Sequence, residues 1–476
     1  MFRSNLSSKV VALACVCFAA TGCIPSLEGN EPREPRRALP ASFGGPGDAA
    51  AQATGSARPK WGEFFQSSEL RALIATALEN NQELNVRSQE IVIARSEVSA
   101  RQGEYLPKVN ARADAGVEKV GRHTSQGVSD EAHGLNENLA DFRFGLTGSW
   151  EVDIWKKLQN AAKAADLRYL ASVEARNFLV TQIVAEISRS YYELIALDNE
   201  LDIVTRNIAI QADALAIVKL QKEAARVTEL AVQRFQAEVL KNRSRLYDLQ
   251  QERVQLENRI NFLSGRYPQR VKRNARQLAA PLPNIVRLGI PSRLLVNRPD
   301  VRQAELELAA AKLDVKAAKA AFYPSLTIDA DVGYRSFNAA HLVDTPASLA
   351  YGMAGGLTAP LLNRSAITAQ YRSANARQIQ AVFNYEKTVL QAFTDVANQV
   401  AVIENLQKSY ELQSKRVQAL AESVDISNVL FQSARADYME VLLTRRDSLE
   451  AEMELVETKK RQLQAMVNVY QALGGG

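Results

Sequence analysis

Three cysteines and three histidines hold most of what this chain could offer a metal ion or a covalent intermediate. His123, His133 and His341 are scattered through polar stretches, without the short spacings that tetrahedral metal ligands need. The five methionines add no ladder of soft ligands. No glycine-rich loop stands between a strand and a helix to cradle phosphate. Catalysis has no constellation to rest on, and neither an enzyme nor a cofactor is expected. That leaves Cys15, Cys17 and Cys23, all within the first 23 residues. Their chemistry depends on the fate of that terminus.

Arg3 and Lys9 precede an apolar run from Val10 to Ala20, and Thr21-Gly22-Cys23 follows. This is the layout of a secretory leader, too short to span a membrane in the mature protein. Small residues just before a cysteine resemble a bacterial lipobox, in which the cysteine is acylated and becomes the mature first residue. Ala20 stands where leucine is usual. Ile24, rather than aspartate, follows Cys23, which resembles lipoproteins sent to the outer membrane. Cleavage there discards Cys15 and Cys17, leaving no internal disulfide despite an oxidising compartment. Residues 1–22 are thus read as signal peptide, with Cys23 as the lipidation site. Residues 23–60, rich in Pro, Gly, Ala and Arg, are read as an extended, lipid-anchored linker. The formal net charge of +5 is spread thinly, with no basic stripe interleaved with aromatics, so nucleic acid is excluded as a partner.

The elements that must position any site form a unit spelled twice. After Tyr105-Leu106-Pro107, Val109, Ala111, Ala113, Ala115 and Val117 alternate with Asn110, Arg112, Asp114 and Gly116. After Phe322-Tyr323-Pro324, Leu326, Ile328, Ala330, Val332 and Tyr334 alternate with Thr327, Asp329, Asp331 and Gly333. Each run has a partner: Phe142 through Ile154, with Arg143, Gly145, Glu151 and Asp153 on the other face, and Ala347 through Leu357. Strict alternation over about ten residues is the signature of a tilted membrane-spanning strand. Between the strands and the linker a helix runs from about Ser68 to Tyr105.

Long helices follow each hairpin. Residues 159–225 contain neither proline nor glycine and, as one helix, would reach roughly 100 Å. Within them Val180, Val184, Ile187, Tyr191, Leu194, Leu197, Leu201, Val204 and Ile208 are spaced three and four apart, the seam of a left-handed coiled coil. The first repeat is placed at 61–266, with its β-hairpin at 107–156 and its helical tip near 226. A crossover at 267–297, marked by Pro268, Pro281, Pro283 and Pro291, leads to the second repeat at 298–476. There the β-hairpin is 324–360 and the tip lies near 436.

Lipid cannot satisfy a sheet edge, and four strands cannot close alone, since the smallest bacterial barrels use about eight. A dimer would have its interior filled by side chains, so a homotrimer pooling 12 strands around a lumen is expected. Tyr105, Trp155, Phe322 and Tyr323 at one end of the strands, and Phe142, Tyr334 and Phe337 at the other, fit interfacial girdles. Arg112, Asp114, Glu151, Asp153, Asp329 and Asp331 would then face water inside the barrel. The fold class expected from the residues is an α+β membrane protein: a trimeric 12-stranded β-barrel, with four strands per chain, joined to long coiled-coil helices.

Arg298-Pro299-Asp300-Val301, Ala304-Glu305, Ala309-Ala310-Ala311 and Ala321-Phe322-Tyr323-Pro324-Ser325-Leu326 resemble the TolC-like outer membrane efflux proteins. More narrowly they are similar to the lipoprotein (NodT-type) branch that serves resistance-nodulation-division pumps. Leu294-Leu295, Leu263-Ser264-Gly265 and the terminal Tyr470-Gln471-Ala472-Leu473-Gly474-Gly475-Gly476 match as well, so the resemblance covers about residues 60–476. It implies that the trimeric 12-stranded β-barrel lies in the outer membrane and is continued by a long periplasmic α-helical coiled-coil barrel with a mixed equatorial domain, in partnership with a periplasmic membrane-fusion adaptor and an inner-membrane resistance-nodulation-division transporter. The channel itself does no chemistry. The resemblance further implies that the inner hairpin tip forms the periplasmic aperture, through Arg435, Asp437 and Glu440, and that Arg226, Thr228 and Glu229 on the outer tip dock the adaptor. Ala225 and Ala434 depart from the family pattern, where glycine is common, and Leu443 replaces an aspartate. Drugs or other small molecules are the expected cargo. Two rivals are a type I secretion channel for proteins, which uses the same tube, and a periplasmic coiled-coil scaffold without a pore.

Overall fold

Alternation of apolar and polar side chains can only be honoured by extended backbone, and four such runs build one sheet. The structure, a computed structural model, describes residues 24–27, 29, 31–36, 60–279, 298–362, 364–433 and 435–475. The leader, Cys23, most of the linker, the crossover prolines Pro281, Pro283 and Pro291, and Ala434 lie outside the described residues. Among the described residues the chain is mostly helical with four strands, a mixed α+β protein. Its elements are α1 (Trp61–Phe64), α2 (Ser68–Asn80), α3 (Gln82–Glu104), β1 (Lys108–Lys119), α4 (Ser125–Ala132), β2 (Asn138–Val152), α5 (Lys157–Glu223), α6 (Glu229–Leu263), α7 (Pro299–Ala320), β3 (Ser325–Ser336), β4 (Leu349–Thr358), α8 (Ser365–Gln432) and α9 (Tyr438–Ala472). Contacts gather them into two units, and neither coincides with a repeat. One draws on the spans Met1–Pro35, Ile91–Ala171 and Glu305–Asn384; the other draws on Arg36–Glu90, Ser172–Ala304 and Tyr385–Gly476.

In the first unit the strands form an antiparallel meander in the order β1-β2-β3-β4. The β2–β3 pairing joins the two hairpins, with Gly145 opposite Gly333. These glycines are obligatory: a Cβ on Gly145 would lie 2.4 Å from the carbonyl oxygen of Val332, and one on Gly333 would lie 2.4 Å from that of Phe144. The register puts Ala111, Leu146, Val332 and Tyr351 in one row and Asn110, Thr147, Asp331 and Gly352 in the next, so the faces separate cleanly into apolar and polar. Phe144, Tyr351 and Met353 on the apolar face are exposed within the single chain. β2 starts at Asn138, four residues before the alternation becomes obvious at Phe142, because Asn138 to Asp141 still pair with β1. Helix α4 occupies part of what reads as an irregular polar loop. Thr124 caps it by accepting from the Gly127 amide at 3.1 Å.

The start of the linker is seated rather than solvated. Ile24 and Leu27 pack with Val315, Phe322 and Tyr371. The buried Gln378 side chain clasps the backbone of Arg33, accepting from its N–H at 3.2 Å and donating to its carbonyl at 2.7 Å. The Arg33 guanidinium lies 4.7 Å from the Phe383 ring centroid, and Lys312 pairs with Glu34 at 2.6 Å. A linker rich in proline and arginine reads as free chain by composition, but these contacts hold its described beginning on α7 and α8.

The second unit is a helical bundle whose core follows the seven-residue seam. Val184, Ile187, Tyr191, Leu194, Leu197, Leu201 and Val204 are all buried. Each fully buried side chain of this size contributes roughly 1.5–3 kcal/mol. The helix expected over 68–105 is two helices. Asn81 breaks it, accepting from the Leu84 amide at 3.0 Å while donating to the Leu263 carbonyl at 2.9 Å. Two arginines, Arg273 partly buried and Arg298 buried, tie down irregular chain. Arg273 spans Asp198 and Glu257, each at 2.5 Å. Arg298, 4% exposed, forks onto Asp300 and donates to the Ala472 carbonyl at 2.9 Å, fixing the C-terminal end of α9. Its neighbour Pro299 opens α7, where a missing N–H costs nothing.

Candidate functional site

Three places collect the polar side chains singled out by the sequence: the polar face of the sheet and the turns of the two helical hairpins. The sheet face forms a trough of about 500 Å³, lined in part by Asn110, Arg112, Arg143, Thr147, Asp329 and Asp331. Period-two geometry puts them together, since even positions in β1 and odd positions in β2 and β3 share a face. Arg112 pairs with Asp114 at 2.5 Å. At one end of the trough Asp141 takes Arg143 at 2.6 Å and Arg335 at 2.9 Å, a cluster of side chains from two strands. That cluster was missed by sequence reasoning, although Asp141 and Arg143 share the parity of the polar residues that follow them. Asp329 and Asp331 have no ion pair among the described residues. Glu151 is held by Lys157. Asp153 falls beyond the last residue of β2, and its carboxylate accepts from the Leu158 and Gln159 amides at 3.2 and 2.8 Å. It caps α5, a use its place in the alternation did not reveal.

Aromatics close the helix-side end of the sheet. Trp155 stacks on Tyr323 with centroids 4.7 Å apart, and its indole N–H donates to the Pro324 carbonyl at 2.8 Å. The Trp150 indole donates to the Tyr105 carbonyl at 3.0 Å. Both rings present apolar surface while their N–H groups are satisfied, as an interface between hydrocarbon and water requires.

The first hairpin turn is self-sufficient. The Arg226 amide donates to the Gln221 carbonyl at 2.8 Å and the Ala225 amide to the Lys222 carbonyl at 2.9 Å, a Schellman motif. That motif demands a left-handed residue, and Ala225 supplies it with φ +56°, which explains why glycine is the commoner choice at such a turn. Lys222 and Glu229 bridge its flanks at 2.5 Å, and Gln233 donates to Glu229 at 2.7 Å. Lys222, then Gln233, holds the Glu229 carboxyl below its ordinary value. Arg226, Thr228 and Glu229 are all exposed, and Thr228 occupies the N-cap position of α6 without a side-chain bond.

The second turn repeats the backbone device, with the Arg435 amide on the Leu430 carbonyl at 2.8 Å. Its charges differ. Arg435, Asp437 and Glu440 are exposed and form no ion pair among the described residues. Asp437 sits at the N-cap of α9 with its side chain free of a capping bond. The two turns meet through apolar side chains: Val227, Tyr438 and Leu442 pack on one small cluster.

Among the described residues no group of three or more His, Cys, Asp or Glu side chains could hold a metal ion, and no helix is long and apolar enough to cross a membrane. The family model described as outer membrane efflux protein matches residues 73–266 and 290–475. The pyoverdine export outer membrane protein OpmQ of Pseudomonas aeruginosa is 28% identical over 476 residues, covering 100% of this chain and 98% of that one. The cation efflux system protein CusC of Escherichia coli is 26% identical over 467 residues, covering 97% of this chain and 98% of its own. Among solved structures, the outer-membrane channel OprN superposes with a TM-score of 0.84 at 22% identity, covering 94% of this chain and 99% of that one.

Proposed function

The chain belongs to the outer membrane efflux protein family, and we propose that three copies of it pool their strands into one outer-membrane pore that ends a tripartite efflux pump. The observation that carries this reading is the sheet. It has one exposed apolar face, one charged face, and two strands, β1 and β4, that pair on one side only. Unpaired edges in hydrocarbon cost several kcal/mol per backbone group, so such a sheet is stable in lipid only when neighbouring copies complete it. Three copies make 12 strands, enough for a water-filled lumen.

In that assembly the charged face becomes the barrel wall. Arg112, Asp114, Glu151, Asp329 and Asp331 line water, while Asp153 stays on its helix. Arg435, Asp437 and Glu440, repeated three times around an axis at the second hairpin turns, form the aperture. Their lack of ion pairs among the described residues supports contacts made between chains. Arg226, Thr228 and Glu229 offer the first turn to a periplasmic adaptor, which joins the channel to an inner-membrane transporter of the resistance-nodulation-division type. Acylated Cys23 anchors the mature end in the same membrane. The seating of Ile24 and Leu27 beside Phe322, three residues before β3, would hold that anchor at the foot of the barrel. Relatives are named for pyoverdine export and for cation efflux, and the cargo assigned here is drugs or other small molecules.

Purified, acylated protein reconstituted in planar bilayers tests this reading. Stepwise conductance from a species that cross-links as a trimer is the expected result. A detergent-independent monomer without conductance would overturn it.

A further inference from the structure

Two strand-to-helix corners lie at the helix-side end of the sheet, and both mix exposed apolar side chains with cations. The first, after β2, reads Ile154-Trp155-Lys156; the second, after β4, reads Leu361-Leu362 and then Arg364. Ile154, Trp155, Leu361 and Leu362 are all exposed in the single chain, Leu362 to 89%. Apolar side chains left this open beside cations suit a boundary between hydrocarbon and headgroups better than water. Lys156 and Arg364 form no ion pair among the described residues. Ile24 directly follows Cys23, the proposed acylation site, and packs on the cluster that contains Phe322. The lipid anchor and the corners therefore share one level of the bilayer.

The two corners grip one segment between them. Trp155 stacks on Tyr323 and donates to the Pro324 carbonyl. Arg364 lies 5.6 Å from the Phe322 ring centroid and donates through Nη2 to the Phe322 carbonyl at 3.3 Å. Its Nε is buried without a hydrogen-bond partner. A guanidinium held by one long bond and a ring keeps donors to spare. Lys156 has φ +58°, a left-handed conformation that glycine adopts more cheaply. Strain kept at an exposed, unpaired lysine implies that its charge has a use. A recess of about 220 Å³ lies between the corners, lined in part by Ile154, Trp155, Tyr323 and Pro360. Its two carboxylates are already occupied, Glu151 by Lys157 and Asp153 by the first amides of α5. Neither is free to repel an anion.

We propose that the two corners form a seat for an anionic phospholipid of the periplasmic leaflet, with Arg364 and Lys156 on the headgroup phosphate and Ile154, Leu361 and Leu362 against the acyl chains. The inference rests on the outer-membrane channel reading above and adds a partner to it. Arginine suits the site because its planar fork takes phosphate through parallel N–H bonds while its face stays on an aromatic ring. A zwitterionic headgroup offers the same phosphate but adds an ammonium, which two unpaired cations repel. The seat therefore favours a lipid with net negative charge.

Lipid retention by the acylated, full-length protein tests this. The protein in neutral detergent is titrated with phosphatidylglycerol and, separately, with phosphatidylethanolamine of the same chains, and bound lipid is counted by native mass spectrometry. Wild type is expected to hold phosphatidylglycerol about tenfold more tightly. Lys156→Gly and Arg364→Met should each cut that preference about threefold or more. Lys156→Gly removes the charge while relieving the backbone, so its loss of lipid cannot come from unfolding. Arg364→Lys should keep more of the preference than Arg364→Met. Arg372→Gln is the control, because Arg372 is exposed on α8 about two turns from the corner, and it should change nothing. A conducting wild-type trimer that holds both lipids alike overturns the seat. So does an equal loss in Arg372→Gln, which would make net charge the cause. If Arg364→Met does not assemble, an unchanged preference in Lys156→Gly overturns the seat instead. A wild-type protein that neither trimerises nor conducts is a different outcome: it removes the channel reading, and the seat with it.

Discussion

The two hairpin turns share a backbone design and differ in how their charges are used. At the first, Lys222, Glu229 and Gln233 satisfy one another across the turn. At the second, Arg435, Asp437 and Glu440 are left without ion pairs among the described residues. A turn whose charges are already paired gains little from a like copy of itself and presents a fixed shape to another protein. A turn with free charges has its strongest interactions still to make. The contrast supports a docking role for the first and an inter-subunit role for the second.

The largest effect is expected where the free charges are removed. Asp437→Ala with Glu440→Ala should raise conductance several-fold and weaken cation selectivity in planar bilayers. Unchanged values would take these residues out of the aperture and erase the contrast. Next comes the apolar contact between the turns. Val227→Asp places a charge against the apolar cluster on which Tyr438 and Leu442 also pack and should cost about 2 kcal/mol of stability, read as a lower denaturation midpoint in detergent. Were the midpoint unmoved, the two turns would be independent of one another. A smaller and opposite change is expected at Ala225, whose left-handed φ is a strain that glycine relieves. Ala225→Gly should stabilise by about 1 kcal/mol or less, because glycine's entropy offsets part of the gain.

The smallest effect concerns the staple. Glu229 has its carboxyl pKa lowered from 4.5 in the folded state, so the stabilisation from Lys222 is present above that value and is lost as pH falls below it. Glu229→Gln should flatten this acid limb of the melting curve while leaving the neutral plateau nearly intact, since an exposed bridge contributes little. An identical acid limb in both proteins would show that the first turn is not pre-set by its charges.

Much of the fold was legible. Alternation gave the four strands and their faces, and three-and-four spacing from Val184 to Val204 marked residues that are buried. The misreadings have local physical causes. Asn81 breaks an apparently continuous helix because its side chain can cap α3 and reach the Leu263 carbonyl, a partner 182 residues away. Asp153 was counted with the barrel wall because parity continues past the strand, whereas the backbone turns there and the carboxylate finds the first amides of α5. The described start of the linker was read as free chain, because composition says nothing of Gln378 waiting on α8 to clasp Arg33.

The sequence by itself determined the periodicities, and with them the elements and the segregation of the sheet into two faces. These follow from spacing along one chain, which a linear text records in full. Only the tertiary structure decided which glycines had to face each other, which charges were already paired, and which corners close on the same segment. Each of those depends on distances between residues far apart in the chain, where partners compete for the same donors and acceptors and the winner is set by packing.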